Sequence, residues 1–336
     1  MKKRLPVVVI DSAIPFLEEV LAPHVSVVAR PGSAITTDDL RDADALVVRT
    51  RTRCNERLLS GTAVRLIITA TIGFDHIDRA WCEAHGIRVV TAAGCNARGV
   101  LQWVSAVLAG IARKEQFTPA ERTLGIVGVG HVGSAVKACA EVWGFRVLCC
   151  DPPREERERC GFRSLQEVAS EADILTFHTP LDNSTYHLCD ANLLRRMKPT
   201  AWILNSSRGP VLDERALLEA PNPFVLDVWE EEPNLRLEVL QRAVWATPHV
   251  AGYTVQGKAN ASAIAVAELS AHFGLPIRGW YPPQVERPEQ RCIAWEELFA
   301  TIDGYYDLEE ESHLLKADPA RFEAFRDGYR YRLEYF

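Results

Sequence analysis

The sequence contains no hydrophobic run that approaches the roughly 20 residues needed to cross a membrane. The apolar stretch that follows the basic N-terminal residues extends only from Leu5 to Ile10. This stretch is shorter than the roughly 7–15 residues of a signal-peptide core, so we do not expect a signal peptide. Together these two absences predict a soluble, cytoplasmic protein.

The sequence also has no CxxC pair, although it contains nine cysteines. An odd number of scattered cysteines in apolar context indicates buried, reduced thiols rather than a disulfide framework. There is no excess of basic residues either, because 38 Lys and Arg stand against 45 Asp and Glu, for a net charge of −7. This balance argues against nucleic acid or an anionic membrane as the main partner. We predict no metal site.

Short β-branched runs alternate with helix-like segments along most of the chain, a pattern typical of parallel sheets covered on both faces. The predicted strands are Val7–Ile10, Val25–Ala29, Ala45–Arg49, Arg65–Thr71, Arg88–Thr91, Thr123–Val129, Arg146–Cys150, Ile174–Thr179, Trp202–Asn205, Phe224–Trp229 and Val244–Thr247. A long helix over 100–113 separates the first five from the last six, and an Ala-rich helix over 256–273 follows. The predicted fold class is therefore α/β, with two doubly wound parallel-sheet domains.

Residues 1–94 plus 256–280 are predicted to form a flavodoxin-like substrate domain, and residues 95–255 a Rossmann domain that binds a dinucleotide. Residues 281–336 carry two further predicted helices, around 295–302 and 319–331. Such a segment is too small to bury a core alone, so it either packs onto a partner subunit or forms a solvated tail.

A glycine-rich string, Gly128-x-Gly130-x-x-Gly133, lies between a predicted strand and a predicted helix. In that context the glycines allow a tight turn, the approach of a pyrophosphate to the backbone, and close helix–strand packing. Asp151 ends the next strand, where a carboxylate accepts both ribose hydroxyls and repels the extra phosphate of NADP. NAD is therefore the predicted cofactor, although Arg154 leaves a 2′-phosphate conceivable.

Polar residues lie at or just beyond the carboxyl ends of four more predicted strands, the edge at which such sheets bind ligands. They are Thr179, Asn205–Arg208, Asp227 with Glu230–Glu232, and Thr247–His249. Asn205 and Ser206 are small polar groups that can face a nicotinamide ribose.

The strings GVGHVG, FHTPL, NSSRG, LDVWEEEP and TPHVAG, in this order, resemble the D-isomer-specific 2-hydroxyacid dehydrogenases. The resemblance implies an active site of Arg208, Glu232 and His249, with Glu232 chosen among three adjacent glutamates because it precedes Pro233. It also places Asp227 against the nicotinamide carboxamide. The full set of predicted cofactor contacts is Gly128, Gly130, His131, Val132, Gly133, Asp151, Thr179, Ser206, Ser207, Arg208, Asp227 and Gly252.

The chemistry of the implied reaction explains these residue types. Oxidation at C2 requires loss of the hydroxyl proton, and an imidazole is a suitable base near neutral pH. A carboxylate bonded to the imidazole selects its tautomer and raises its pKa. An arginine can bind the substrate carboxylate with two parallel hydrogen bonds or polarise the 2-oxygen.

Longer strings, among them TATIGFDHID, AAGCNARGV, TPHVAGYTVQGKA and FRDGYRYRLEYF, resemble members of this family that oxidise 4-phospho-D-erythronate in pyridoxal phosphate synthesis. The resemblance implies 2-oxo-3-hydroxy-4-phosphobutanoate as product and a homodimer formed through the C-terminal segment. Many members continue for some tens of residues beyond the position of Phe336, so that dimer depends on whether the shorter tail suffices. The predicted substrate contacts are Arg49, Thr50, Thr71, Ile72, Gly73 and Tyr253.

The Arg49–Arg53 segment supports a phosphorylated substrate independently, because three arginines and two hydroxyls at a strand end can hold a phosphate. A solvated basic loop is the alternative interpretation. Two other functions stay open: a reductase for an unphosphorylated acid such as glyoxylate or hydroxypyruvate, and a non-catalytic NAD-sensing regulator.

Overall fold

The structure, a computed structural model, describes residues 4–287 and 293–336. Its strands are β1 (Val7–Asp11), β2 (Ser26–Arg30), β3 (Ala45–Val48), β4 (Leu66–Thr69), β5 (Arg88–Thr91), β6 (Thr123–Val127), β7 (Arg146–Cys150), β8 (Ile174–Phe177), β9 (Trp202–Asn205), β10 (Phe224–Leu226) and β11 (Trp245–Ala246). Its α-helices are α1 (Leu17–Leu21), α2 (Thr37–Leu40), α3 (Glu56–Leu59), α4 (Arg79–Ala84), α5 (Ala97–Glu115), α6 (His131–Trp143), α7 (Pro152–Glu158), α8 (Leu165–Glu171), α9 (Ala191–Leu194), α10 (Glu214–Glu219), α11 (Leu237–Arg242), α12 (Val255–Phe273), α13 (Trp295–Thr301), α14 (Leu308–Ala317) and α15 (Phe322–Asp327).

Every predicted strand is present, and the predicted α/β class with two parallel sheets is confirmed. Several strands end a few residues earlier than predicted, because the apolar run continues into loops that leave the sheet. At the end of β6, for example, Gly128 already adopts a φ of 84°. No helix of the described residues is both long and apolar enough to span a membrane.

The chain divides into two compact units. The first unit comprises Met1–Asn96 and Thr254–Arg287, and the second comprises Ala97–Tyr253 and Pro288–Phe336. Residues 288–292, which fall in the predicted appendix and include Cys292, lie outside the described residues. The eight cysteines that the structure describes are thiols rather than disulfides, and six of them are buried.

The first unit is built on a five-stranded sheet of order β2-β1-β3-β4-β5, in which every pair is parallel. This is the flavodoxin-like order. All residues of β3 and β4 are buried, as expected for strands covered on both faces. The strand order reverses between β1 and β3, so the loop that follows β3, which begins at Arg49, lies at the switch point where such sheets bind ligands.

The second unit is built on a six-stranded parallel sheet of order β11-β10-β9-β8-β6-β7. Only β7 lies beyond β6, whereas a dinucleotide-binding sheet usually has one strand more on that side. The segment between α7 and α8 takes that place without forming a strand, and donates a backbone hydrogen bond from Arg163 to Cys149 at 2.9 Å. The switch point therefore lies between β6 and β8, which places the glycine-rich turn opposite Thr179.

The C-terminal residues pack into the second unit, whereas the sequence treats residues 281–336 as a separate appendix. The reason is that α14 covers the short edge strand β11 and bonds its polar groups. Trp245 Nε1 donates to Glu309 Oε1 at 2.7 Å, and the N–H of Ala246 donates to Ser312 Oγ at 3.1 Å. Helix α14 is missing from the predicted helices, although its N-cap Asp307, which accepts from Glu310 N at 2.9 Å, is a recognisable start signal.

Candidate active site

The glycine-rich turn has the geometry of an anion cradle. Gly128 combines its positive φ with a close approach, since a Cβ there would lie 2.7 Å from the carbonyl oxygen of His178. A Cβ on Gly133 would lie 2.0 Å from the carbonyl oxygen of Gly128. A Cβ on Gly130, by contrast, would meet no atom within 4 Å. The turn is thus closed toward the protein and open at Gly130, directly before α6 begins at His131 and Val132.

Asp151 lies beside this turn and is fixed by it. Its Oδ2 accepts from Val129 N at 2.8 Å, and its Oδ1 accepts from Arg154 N at 3.0 Å. The Arg154 guanidinium is itself engaged, because it forms two hydrogen bonds with Glu158 at 2.7 and 3.0 Å and a third with the carbonyl of Val129 at 2.6 Å. An arginine already held by a carboxylate is a poor partner for a 2′-phosphate, which favours NAD over NADP.

Two hydroxyls at the carboxyl ends of β8 and β9 are available to a ligand. Thr179 Oγ1 and Ser206 Oγ are buried and have no hydrogen-bond partner among the described residues. Buried polar atoms without a partner are uncommon in folded proteins, so these two hydroxyls are candidates for a bond to a polar ligand. Asn205 does not face a ribose as predicted, because its side chain bonds its own turn: Oδ1 accepts from Ser207 Oγ at 2.7 Å and Nδ2 donates to Arg208 O at 2.8 Å.

A carboxylate–imidazole pair lies near the ends of β10 and β11. Glu232 Oε2 is 2.7 Å from His249 Nδ1, and Glu232 Oε1 accepts from the N–H of Trp229 at 2.9 Å. Burial opposes ionisation of Glu232, but the facing imidazole and the hydrogen bonds it accepts hold its pKa below the usual value. Because Nδ1 faces the carboxylate, Nε2 is the ring nitrogen left for a ligand, and the His249 side chain is 30% exposed.

The other two glutamates of the triplet point elsewhere. Glu230 Oε1 is 2.7 Å from His187 Nε2, and Glu231 pairs with Arg236. Only Glu232 of the three faces His249, which is the choice that the family motif implies.

Arg208 and Asp227 border the pair from the neighbouring strand ends. Arg208 is half-buried and donates from Nη1 to the carbonyl of Ser207 at 2.7 Å. The next residue, Gly209, packs closely against the backbone of Trp229, because a Cβ on Gly209 would lie 1.9 Å from the carbonyl oxygen of Trp229. The Ser-Arg-Gly turn therefore packs against the segment that leads to Glu232.

Asp227 is buried, and burial raises the pKa of its carboxyl above the usual value. Its Oδ1 accepts from Thr247 Oγ1 at 2.6 Å and from Val250 N at 2.8 Å, and both its oxygens accept from Ala251 N at 3.1 Å. Asp227 thus braces the loop that carries His249 and Gly252. Its predicted contact with a carboxamide stays a prediction.

The predicted substrate contacts other than Tyr253 lie in the first unit. Arg49 Nε donates to the buried carboxylate of Asp11 at 3.1 Å, and Thr50 is exposed beside it. Thr71 Oγ1 donates to Gly73 O at 2.8 Å and so braces the turn that contains Ile72. The Arg49–Arg53 segment offers one hydroxyl fewer than predicted, because Thr52 is buried and donates to the carbonyl of Gly32 at 2.8 Å.

Comparison with known proteins identifies the family. The family model described as D-isomer specific 2-hydroxyacid dehydrogenase, NAD binding domain, matches residues 96–251. The erythronate-4-phosphate dehydrogenase of Bacteroides thetaiotaomicron is 40% identical over 338 residues, which cover 97% of each chain. The chain belongs to the D-isomer-specific 2-hydroxyacid dehydrogenases. The erythronate-4-phosphate dehydrogenase of Salmonella paratyphi B is a further member, 44% identical over 98% of this chain and 92% of its own.

Solved structures of 2-hydroxyacid dehydrogenases share the fold. The D-lactate dehydrogenase of Aquifex aeolicus, complexed with NAD and lactic acid, aligns with a TM-score of 0.68 and 24% identity over 83% of this chain and 100% of that one. The cofactor of this NAD-dependent family fits the residues present. Gly130 leaves open space at the helix start, Asp151 directly follows β7, and the buried hydroxyls of Thr179 and Ser206 lack partners among the described residues.

The last two glycines of the turn, Gly130 and Gly133, should respond differently to alanine. Gly133→Ala places a methyl group against the Gly128 carbonyl and should lower the free energy of unfolding by about 1–3 kcal/mol. Gly130→Ala fills open space, so its free energy of unfolding should fall by less than that of Gly133→Ala. Its Kd for NADH should instead rise about 10-fold or more, equivalent to about 1.4 kcal/mol. Thermal unfolding and NADH fluorescence titration check both; an unchanged Kd for Gly130→Ala would contradict the pyrophosphate assignment.

Sequence reasoning missed Trp103 of α5. Its Nε1 donates to Thr247 Oγ1 at 3.0 Å, and Thr247 in turn donates to Asp227, so an indole of the central helix orients the carboxylate under the His249 loop. No local signal identifies such a residue, because Trp103 is an apolar member of a buried helix. Among the described residues, no group of three or more His, Cys, Asp or Glu side chains is arranged to hold a metal ion.

Proposed function

We propose that this chain oxidises 4-phospho-D-erythronate to 2-oxo-3-hydroxy-4-phosphobutanoate. The observation that carries the chemistry is the 2.7 Å contact of His249 Nδ1 with Glu232, which leaves Nε2 for a substrate proton. The choice of substrate is supported by relatives named erythronate-4-phosphate dehydrogenase, which are 40–45% identical to this chain. A role in pyridoxal phosphate synthesis follows from that substrate.

In the proposed reaction His249 Nε2 takes the proton of the C2 hydroxyl, and the C2–O bond becomes a carbonyl as C2 loses a hydride. Bound NAD supplies the hydride acceptor. Glu232, ionised and bonded to Nδ1, selects the tautomer that offers Nε2 and stabilises the imidazolium that forms. Arg208 binds the substrate carboxylate or polarises the 2-oxygen, and its planar guanidinium suits either task.

The phosphate is assigned to the loop that begins at Arg49 in the first unit. Arg49 is held at Nε by Asp11, itself anchored by Ala13 N at 3.0 Å. An arginine fixed in this way loses little side-chain entropy when it binds a phosphate oxygen. Thr50 beside it is exposed and offers a hydroxyl.

Arg49→Met should lower kcat/KM for 4-phospho-D-erythronate by about 100-fold, the loss of about 3 kcal/mol from a charge-assisted hydrogen bond. Turnover of unphosphorylated D-erythronate should change by less than about 2-fold, because that acid has no group for Arg49. Arg57→Met, an exposed arginine of α3, is the matched control. Arg49→Lys keeps a positive charge beside Asp11, so it distinguishes the loss of the guanidinium from the loss of the partner of Asp11. Melting temperatures identify the variants whose activity falls only because they unfold. Equal losses for both acids would contradict the phosphate assignment.

The deciding experiment measures NADH formation with 4-phospho-D-erythronate, D-erythronate and D-glycerate, with and without a 2-keto acid that reoxidises bound NADH. Turnover of the phosphorylated acid that is far faster than a slow turnover of D-erythronate and D-glycerate supports the proposal. Turnover of the unphosphorylated acids instead indicates a general 2-hydroxyacid dehydrogenase or a glyoxylate or hydroxypyruvate reductase. Tight NADH binding without turnover of any acid would indicate an NAD-sensing regulator.

We also propose that the chain works in the cytoplasm. We propose in addition that it forms a homodimer, as the resemblance of its C-terminal segment implies. Light scattering at micromolar concentration tests the dimer, and a monomer mass would contradict it.

A further inference from the structure

The loop from His249 to Tyr253 is held both through its backbone N–H groups and through its backbone carbonyl groups. On the amide side, Asp227 accepts from the N–H groups of Val250 and Ala251, at 2.8 and 3.1 Å. The backbone N–H of His249 donates to the carbonyl of Asp227 at 2.7 Å. These bonds come from the Rossmann sheet itself.

On the carbonyl side, the loop is held by an arginine of the C-terminal segment. Arg332 Nη2 donates to the carbonyl of Ala251 at 2.7 Å, and its Nη1 donates to the carbonyl of Val250 at 3.3 Å. Its backbone N–H also donates to the carbonyl of Tyr253 at 3.3 Å. The Arg332 side chain is only 8% exposed, so these bonds are shielded from water.

Arg332 is in turn held by a buried polar cluster, defined as Tyr306, Glu311, Tyr329 and Arg332. The Tyr306 ring lies 4.1 Å under the guanidinium carbon, and Glu311 Oε1 is 3.8 Å from Nη1. Arg332 also donates to the Tyr329 hydroxyl, and both tyrosine hydroxyls donate to Glu311, that of Tyr306 at 2.5 Å. A buried cation with this many oriented partners holds one geometry, and a fixed geometry is what a reacting group requires.

The loop needs such support because His249 has a φ of 58°. This left-handed conformation is unfavourable for a residue with a Cβ and persists only where its surroundings enforce it. It is also the conformation in which Nδ1 meets Glu232. Attachment through both the N–H groups and the carbonyls therefore keeps the His249 imidazole within hydrogen-bonding distance of the Glu232 carboxylate.

We propose that Arg332, oriented by Glu311, is a positioning residue for proton transfer by His249. The inference rests on the proposed function, in which His249 takes the substrate proton. The C-terminal segment thereby acts on the active site of its own chain through the backbone carbonyls of Val250 and Ala251, without touching substrate.

Arg332→Met should lower kcat by about 100-fold, the usual effect of a reacting group displaced by about 1 Å, with Kd for NADH within about 2-fold of the unchanged protein. The proton on His249 Nδ1 gives a second readout, because its bond to Glu232 should produce a downfield imidazole resonance that His249→Asn removes. In Arg332→Met this resonance should shift or broaden, and the acidic limb of the kcat profile should move. Arg330→Met, an exposed arginine two residues earlier, should change neither.

A resonance, pH profile and kcat in Arg332→Met equal to those of Arg330→Met would overturn the inference. If Arg332→Met does not fold, Arg332→Lys decides, since it keeps the charge but cannot reach both carbonyls with a planar fork; a kcat and resonance like those of the unchanged protein would overturn the inference. If the unchanged protein turns over none of the acids, the proposed function fails by itself. The resonance then still tests whether Arg332 positions His249.

Discussion

His249→Asn is expected to lower kcat for 4-phospho-D-erythronate by about 10³–10⁴-fold, while the Kd for NADH changes by less than about 3-fold. An asparagine side chain can still occupy the position beside Glu232, but it has no group that takes a proton near neutral pH. Binding of NADH should survive because the glycine-rich turn, Asp151 and the buried hydroxyls belong to other loops of the sheet. Stopped-flow or coupled-assay turnover and NADH fluorescence measure the two quantities separately.

His313→Asn is the matched control, because this exposed histidine lies on α14 of the same unit. It should leave kcat unchanged. A His249→Asn protein that retains more than about a tenth of normal turnover would contradict the role of His249 as the proton acceptor. Equal loss of NADH binding would show instead that the substitution disrupts the second unit beyond the His249 loop.

Arg208→Met is expected to lower kcat/KM by about 10²–10³-fold if Arg208 binds the substrate carboxylate as proposed, because removal of one partner of such a charge pair costs about 3–4 kcal/mol. Arg208→Lys should recover only part of this loss. An ammonium keeps the charge but cannot form the two parallel hydrogen bonds of a guanidinium. Steady-state kinetics with the phosphorylated acid measure both variants.

The control for Arg208 is Arg215→Met, an exposed arginine of α10. It should have normal kinetics and a normal melting temperature. A loss confined to KM would indicate that Arg208 binds substrate and transition state equally, whereas a loss in kcat indicates a bond formed as the carbonyl develops. Turnover of Arg208→Lys equal to that of the unchanged protein would contradict the proposed bidentate contact.

The strands and the glycine-rich turn could be predicted because their causes are local. A buried parallel strand needs a short continuous apolar run, and the turn before α6 needs glycine wherever a Cβ would strike Gly128 or His178. Strand ends were less well predicted, since the predicted strands run past the ends of β6 and β10 into loops in which Val129, Val228 and Trp229 are still apolar. What stops those strands is the path of the chain beyond the sheet, which the run itself does not encode.

The side-chain partners in the candidate site were less predictable. The side chains of Asn205 and Thr52 are polar, like those of residues that bind ligands, yet both donate hydrogen bonds to backbone carbonyls of their own unit. Arg332 was visible only as part of an aromatic and basic tail. Its two carbonyl partners lie some eighty residues earlier in the chain, at 2.7 and 3.3 Å.

By itself, the sequence determined the α/β class, the alternation of strands and helices, and the glycine and acidic positions that indicate a dinucleotide site. Each of these depends on hydrophobic periodicity or on the backbone needs of a few neighbouring residues. Only the tertiary structure decided that Glu230, Glu231 and Glu232 have three different partners, that α14 covers the edge strand, and that Arg332 holds the loop of His249. Those outcomes depend on which distant segments meet, because the energy of a buried charge or hydrogen bond is set by the partner that folding places beside it.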